Sequence, residues 1–323
     1  MMKKILAMMM TAVLFAGVLT GCGSSTDAKT EAGKEEVTIR LGMLAGHYLP
    51  VVAENHGFFN DRGVKVELVT FDTGAAEVEA FTSGDLDVIQ TGDLPILNGI
   101  SNGVDLKIVG SYNVSDQING LVVRDEANIK SFADLKGHKV SVPFGTNIQP
   151  LLYDYLELGG LTQEDVEIVN LNNADSSNAL LTGDVDAAVL WDPFLENCKA
   201  QEGLTMLADT KELRKFVCPI SAATSFIEQH PEELKNLLSA LNDASKYSDE
   251  HIQDAADETA AYYEMDNAEA IKLSIEKVDS SVPLTEDKVA ALLAGAQSCF
   301  KYDIVENEVN LEDYISKDFM NLD

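Results

Sequence analysis

Two aspartates in matching stretches are the residues of this chain best placed for ligand chemistry. Ser83 to Pro95 reads SGDLDVIQTGDLP, and Thr182 to Phe194 reads TGDVDAAVLWDPF. Laid over each other, Gly84, Asp85, Leu86 and Asp87 meet Gly183, Asp184, Val185 and Asp186, and further on Asp93 meets Asp192. Upstream, Val66-Glu67-Leu68-Val69 echoes Val166-Glu167-Ile168-Val169. Each copy predicts a helix closed by Gly, a residue that takes the left-handed conformation at low cost. An apolar strand follows, then a polar turn, then a Pro where a helix start tolerates one. One strand–helix–strand unit is therefore used twice, about a hundred residues apart, far beyond a solenoid repeat. In open α/β sheets ligands bind outside the carboxyl ends of the strands. Asp93 and Asp192 stand at such ends, one in each half. Asp also serves as a helix N-cap, and the repetition fits either role.

The elements that must carry these turns alternate between strand and helix. Val37–Met43 reads as a first strand, and Gly46-His47-Tyr48-Leu49-Pro50 as a loop opening a helix through Asn55. Val64–Thr70 is a second strand, Gly74–Thr82 a helix, Leu94–Ser101 another, and Leu106–Gly110 a strand ending in Ser111-Tyr112-Asn113. After the apolar run Gly120–Arg124 the pattern restarts with Lys139–Val142, the loop Pro143–Asn147 and a helix Ile148–Leu158. Such alternation implies a mainly parallel sheet with helices on both faces. From His230 the pattern is helical, near Pro231–His251, Ala255–Glu264, Ala268–Lys277, Thr285–Phe300 and Leu311–Leu322. The order predicts two lobes joined by two crossings, near Gly120–Arg124 and Ala222–Phe226. Lobe 1 would comprise residues 37–123 and 223–323, and lobe 2 residues 124–222. Two linking strands make a hinge, and hinge closure around a ligand is a known switching mode.

The ends and the bulk composition narrow the class. Lys3 and Lys4 precede an apolar run from Ile5 to Leu19, followed by Leu19-Thr20-Gly21-Cys22. That is an export signal, residues 1–21, and its tetrapeptide resembles the lipobox of bacterial lipoproteins, which makes Cys22 the expected lipidation site. Residues 22–36 lack large apolar side chains and read as a flexible tether. Hydrophobic content of 46% with 24% charge is that of a soluble globular body. The net charge of −31 repels phosphate backbones, so nucleic acid is excluded as a partner. Cys198, Cys218 and Cys299 remain after Cys22, an odd count that leaves at least one thiol unpaired. No Cys or His spacing suggests zinc, and no cofactor is expected.

The stretches GMLAGHYLPVVAENHGFF, TSGDLDVIQTGDLP, KSFADLKGHKVSVPFGTN and GDVDAAVLWDPF, with His230-Pro231-Glu232, together resemble extracytoplasmic solute-binding proteins of ABC importers. The resemblance is to the group for sulfonates, nitrate and taurine, and covers nearly all of the chain after the tether. It implies a type II periplasmic-binding-protein fold, two doubly wound α/β lobes with a two-strand hinge and a helical C-terminal segment. On matching positions it places His47 and Tyr48, Thr91-Gly92-Asp93, Tyr112 and Asn113, Gly145-Thr146-Asn147, and Trp191-Asp192 at the interlobe cleft. It implies a permease partner in the membrane, a small-molecule ligand, a monomer and no turnover. Physically, helix N-termini offer free N–H groups to an anion, Thr91, Thr146 and Asn147 add neutral donors, and Trp191 and Tyr112 could hold an apolar body. Members of the group carry a Ser-rich turn where this chain has Gly145-Thr146-Asn147, which leaves the ligand class open. The two aspartates would suit an amine-bearing or zwitterionic ligand. Two other readings stay in view: a thiamin-precursor synthase on the same fold, against which the export signal speaks, and a sensor lipoprotein without a transporter. His47 as a plain loop residue and Trp191 as plain core also remain open.

Overall fold

The computed structural model describes residues 37–322 except Glu212 and Asp266; the export signal, Cys22 and the tether lie outside the described residues. The chain runs β1 (Thr38–Leu44), α1 (Tyr48–Asn55), α2 (Phe58–Asp61), β2 (Lys65–Phe71), α3 (Gly74–Thr82), β3 (Val88–Gln90), α4 (Asp93–Ser101) and β4 (Leu106–Ser115). It continues through β5 (Asn119–Arg124), β6 (Lys139–Ser141), α5 (Gln149–Leu158), β7 (Glu167–Val169), α6 (Asn173–Thr182), β8 (Ala187–Trp191), α7 (Phe194–Lys199) and β9 (Leu204–Asp209). β10 (Phe216–Ala223) precedes α8 (Thr224–Gln229), α9 (Pro231–Glu250), α10 (Ile252–Tyr262), α11 (Ala268–Ile275) and α12 (Glu286–Lys301).

The strands form two five-stranded sheets, in the orders β2-β1-β3-β10-β4 and β7-β6-β8-β5-β9. The orders correspond position by position. In each, three strands run parallel and the fourth, β10 or β5, runs against its neighbours. Successive side chains of a strand point to opposite faces, and both faces are apolar here. Val88 joins the core under α1, α9 and α10, whereas Ile89 joins the one under α4 and α12. In the second sheet Ala187 and Val189 meet α5, while Ala188 and Leu190 meet α6 and α7.

The pairing moves the crossings. β5 belongs to the second sheet and β10 to the first, so the chain passes between them at residues 116–118 and 210–215. The sequence expectation placed the crossings at Gly120–Arg124 and Ala222–Phe226, but the first is an interior strand and the second is the end of β10 and the start of α8. β4 also outruns its expected end. Ser111-Tyr112-Asn113 lies inside the strand, because β10 pairs with it from Leu106 through to Ser115 across two register shifts. The expected helix at Leu311–Leu322 reduces to a single 3₁₀ turn, Leu311–Tyr314, after which Ile315 bridges to Ile108.

The repeated Gly-Asp-x-Asp has a positional meaning. Gly84 and Gly183 take φ of 82° and 83°, closing α3 and α6. The second aspartate then clips two strands together. Asp87 donates its N–H to Arg40 O at 3.0 Å and accepts from Arg40 N at 2.9 Å. Asp186 donates to Lys139 O at 2.9 Å and accepts from Lys139 N at 3.1 Å. Arg40 adds Nε and Nη2 bonds to Asp87, and His138 Nδ1 lies 3.0 Å from Asp186. Hydrogen bonds to charged groups contribute about 1.5–3 kcal/mol, so Asp87→Ala and Asp186→Ala should each lower stability by about 2 kcal/mol. Urea unfolding checks this: a shift in midpoint without a change of slope is expected, and an unchanged midpoint would refute the clip.

Candidate functional site

The carboxyl ends of β1, β3, β6 and β8 carry the loops that the repeat singled out. On the first sheet, His47 precedes α1. Its Nδ1 accepts from Leu44 N at 3.1 Å, which puts the ring proton on Nε2, 2.9 Å from the Tyr112 hydroxyl. The rings are 4.4 Å apart, and burial pulls the His47 pKa down to about 3, so the imidazole is neutral. The Tyr263 hydroxyl donates to His47 O at 3.2 Å and braces the same loop. Tyr48 does not join this pair. It is a core residue, its hydroxyl buried toward Ser280 without a well-formed hydrogen bond.

Beyond β3, Thr91 is fully buried and its hydroxyl has no partner among the described residues. Glu77, on α3, accepts from Gln90 N at 3.0 Å; burial pushes its carboxyl up to about 8, so it is an uncharged acid at neutral pH. Gly92 is the N-cap of α4, and Asp93 is the first helical residue. Asp93 is therefore not the cap. Its Oδ1 accepts from Leu94 N at 2.8 Å, and its Oδ2 lies against Gly295 of α12, where a Cβ would come within 2.7 Å. Burial raises the Asp93 pKa, and the charge of Arg214 draws it back. Asn113, on β4, keeps a buried Oδ1 without a partner among the described residues.

On the second sheet, the loop before α5 is tied to itself. Gly145 (φ 73°) donates its N–H to Gln149 Oε1 at 2.8 Å, and the Thr146 hydroxyl donates to Pro143 O at 2.7 Å. Asn147 reaches across. A Cβ on Gly92 would stand 3.8 Å from Asn147 Cγ, and Asn147 O accepts from Arg214 Nη2 at 2.9 Å. Trp191 is half-buried and sits opposite Asn119 in the ladder. The Asp192 side chain is completely buried; Oδ2 accepts from Lys277 Nζ at 2.7 Å, and Oδ1 has no partner among the described residues. Burial raises its pKa to about 6 against the pull of Lys277. Lys277 also reaches Glu196, and Asn267 reaches Asn197, so the segment around α11 grips α7.

The structure thus joins His47 to Tyr112, sets Gly92 beside Asn147, and brings the charge of Arg214, bonded to Asn147, to bear on Asp93. It records no contact between Asp93 and Asp192; Asp192 is paired with Lys277, while Asp93 feels the charge of Arg214 without a salt bridge. Several residues escaped the sequence reading: Arg214, Lys277, Glu77, Asn119, Ser141 and Asn173. The last three place buried polar atoms without partners, among the described residues, at the start of β5, the end of β6 and the start of α6. Arg214 had one available signal, a basic pair with Lys215 just before an apolar strand in a strongly acidic chain. A hollow of about 550 Å³ lies at the other edge of the first sheet, lined by Arg40, Asp87, Asp105 and His230 among others. There Asp87 is committed to Arg40 and Asp105 to the Thr224 hydroxyl, so we place the site at the carboxyl edges. Among the described residues no group of three His, Cys, Asp or Glu side chains is placed to hold a metal ion.

Two lobes of matched strand order, joined by two crossings, define a type II periplasmic-binding-protein fold. The chain belongs to the NMT1/THI5-like family, whose model matches residues 45–255. It is 27% identical to a putative aliphatic sulfonates-binding protein of Bacillus subtilis over 99% of this chain and 96% of that one. The crystal structure of the periplasmic aliphatic sulphonate binding protein SsuA of Escherichia coli superposes with a TM-score of 0.79 at 25% identity, covering 87% of this chain and 92% of that one. The desulfurization enzyme DszB shares the fold, with a TM-score of 0.70 at 19% identity over 88% of this chain and 97% of that one.

Proposed function

We propose that this chain is the solute-binding component of an ABC importer, capturing a small sulfonate-type anion between its lobes. Lobe closure then presents the ligand to a membrane permease. The observation that carries the reading is the set of buried, unpartnered polar atoms at the carboxyl edges of both sheets, on Thr91, Asn113, Asn119, Ser141 and Asn173. An unmet buried polar group is destabilising by about 1–3 kcal/mol, and several on both walls suit a ligand rich in acceptors and donors. The names of the relatives supply the sulfonate class. Lipid on Cys22 holds the protein outside the cytoplasm, at the outer face of the membrane, as a monomer, within reach of the permease.

Binding without turnover fits the thiols. Cys198, Cys218 and Cys299 are free and buried, and burial pushes Cys218 and Cys299 up to about 12. Thiols so raised are poor nucleophiles. His47, the imidazole nearest the cleft, has both ring nitrogens engaged.

A thermal-shift panel on residues 23–323 tests the reading, using alkanesulfonates, taurine, nitrate and thiamin precursors. A ligand at a hundred times its Kd stabilises by about 2.7 kcal/mol, which raises the Tm by roughly 5 °C in a protein of this size. The expected result is a rise with alkanesulfonates. A flat response to every compound would remove the solute-binding assignment.

A further inference from the structure

We infer that Arg214 is the anion anchor of this cleft, and that the ligand it selects is a plain monoanion without an amine. The inference rests on the solute-binding reading above and narrows it. Four arginines occur in the chain. Arg40 is paired with Asp87, Arg62 with Asp243 and Arg124 with Glu126. Arg214 has no salt-bridged carboxylate among the described residues. Its Nη2 donates to Asn147 O at 2.9 Å, and its guanidinium lies 4.3 Å over the Phe216 ring. Nε and Nη1 are shut off from water and meet no acceptor among the described residues.

A guanidinium does not deprotonate in proteins, so it cannot escape burial by losing its charge, as a lysine can. A buried charge is unfavourable unless something meets it. One carbonyl and an aromatic face meet it in part. Asp93 is the carboxylate that feels it, but Asp93 is itself pushed toward the neutral form by burial and is already bonded to Leu94 N. The remaining N–H groups, held in a plane by Phe216 and Asn147, match the oxygens of a sulfonate, nitrate or carboxylate head. Arg214 also lies in the second crossing, beside the place where Gly92 and Asn147 bring the lobes together. An anion on it therefore contacts the hinge and both walls at once.

The same geometry removes the reason to expect an amine. Asp93 and Asp192 were the candidate partners for a cationic ligand end; Asp192 already holds Lys277 at 2.7 Å, and Asp93 is pushed toward its neutral form by burial and bonded to Leu94 N. A zwitterion would bring its ammonium into a site where Asp192 is already paired with Lys277 and burial favours the neutral form of Asp93.

Calorimetric titration decides this on residues 23–323 with propane-1-sulfonate, its neutral analogue propane-1-sulfonamide, taurine, nitrate and propionate. Wild type should bind an anion from this set at least about 30-fold more tightly than the sulfonamide, the fold-change expected when a buried charged partner is lost. Taurine should bind more weakly than propane-1-sulfonate. Arg214→Gln should lose at least about 30-fold, and Arg214→Lys should fall between, since an ammonium keeps the charge but not the planar donors. If wild type binds one of these anions and Arg214→Gln binds it equally, the anchor is wrong while the solute-binding reading stands. If nitrate or propionate takes the place of the sulfonate and depends on Arg214, the anchor stands and the sulfonate class falls. Taurine binding best overturns the monoanion assignment, and no binding by any compound overturns both. Should Arg214→Gln fail to fold, the wild-type ratio of sulfonate to sulfonamide affinity decides, and a ratio near one rejects the anchor.

Discussion

Replacing Lys277 by methionine should lower the unfolding free energy by about 3–5 kcal/mol, the range for breaking a buried pair from one side. Lys277 follows α11 on the first lobe, and its ammonium reaches Asp192 and Glu196 on the second. The Asp192 side chain is wholly buried and that of Glu196 nearly so. Without Lys277 the Asp192 carboxylate has no counter-charge in contact. The loss should depend on pH with a definite sign. Burial holds the Asp192 pKa at about 6, above its ordinary value of 3.8. A carboxyl raised in the fold contributes stability that is fully present below its unfolded pKa and fades as pH rises through its folded one. Lys277 pulls that folded value down, so removing it pushes the value higher and extends the loss to higher pH. Lys277, in turn, is buried yet held above its usual pKa by Asp192 and Glu196. The intact pair therefore persists from about pH 6 into alkaline solution beyond the ordinary lysine range. The penalty for Lys277→Met should be larger at pH 8 than at pH 5, and Asp192→Asn in the same chain should recover more than half of it. Denaturant unfolding at both pH values measures this; equal penalties would exclude Asp192 as the cause.

Gly92→Leu should weaken ligand binding by about 100-fold. Gly92 sits at φ −66° and ψ 160°, a conformation open to any residue. A Cβ there would make ordinary contact with Pro95 Cδ at 3.6 Å and Asn147 Cγ at 3.8 Å. Alanine should therefore be accepted. A leucine extends past that Cβ into the space Asn147 occupies, and Asn147 belongs to the opposite lobe. The wedge holds the lobes apart at this contact. If binding requires the closed form, apparent affinity falls with its population, and about 1% closed gives a 100-fold loss. Small-angle scattering should show a larger radius of gyration for Gly92→Leu than for Gly92→Ala. Full affinity in the leucine variant would mean that closure does not pass through this contact.

The sequence carried the fold in its local patterns and lost the site where contacts are distant. Buried parallel strands read as apolar runs, and Gly84 and Gly183 marked where helices stop, so the strand–helix alternation was legible. The doubled Gly-Asp-x-Asp was legible too, although its second aspartate clips strands, while the later Asp93 and Asp192 follow the carboxyl ends of β3 and β8. Neither proved to be an N-cap; those positions are Gly92 and Pro193. Arg214 and Lys277 sit in charged stretches, KELRK and IEKVD, that look like solvated surface. Their partners lie 67 and 85 residues away, and no periodicity encodes such a distance. Tyr48 misled for the opposite reason. It follows His47 in the loop, but the first turn of α1 swings it into the core. The first crossing was misplaced because a strand entering a sheet from the other lobe is as apolar as one that never leaves.

That exchange of strands fixes an order of assembly. β10 lies between β3 and β4, yet it is synthesised after the whole second sheet. Residues 119–209 are contiguous and can close their sheet as soon as they are available. The first sheet must wait with two open edges until residue 223 has left the ribosome. Open edges invite wrong pairing, so the nascent chain is most exposed to aggregation in this interval. A chain cut after β9 would hold one finished half and one unzipped one, and the later-made half would be the sounder of the two.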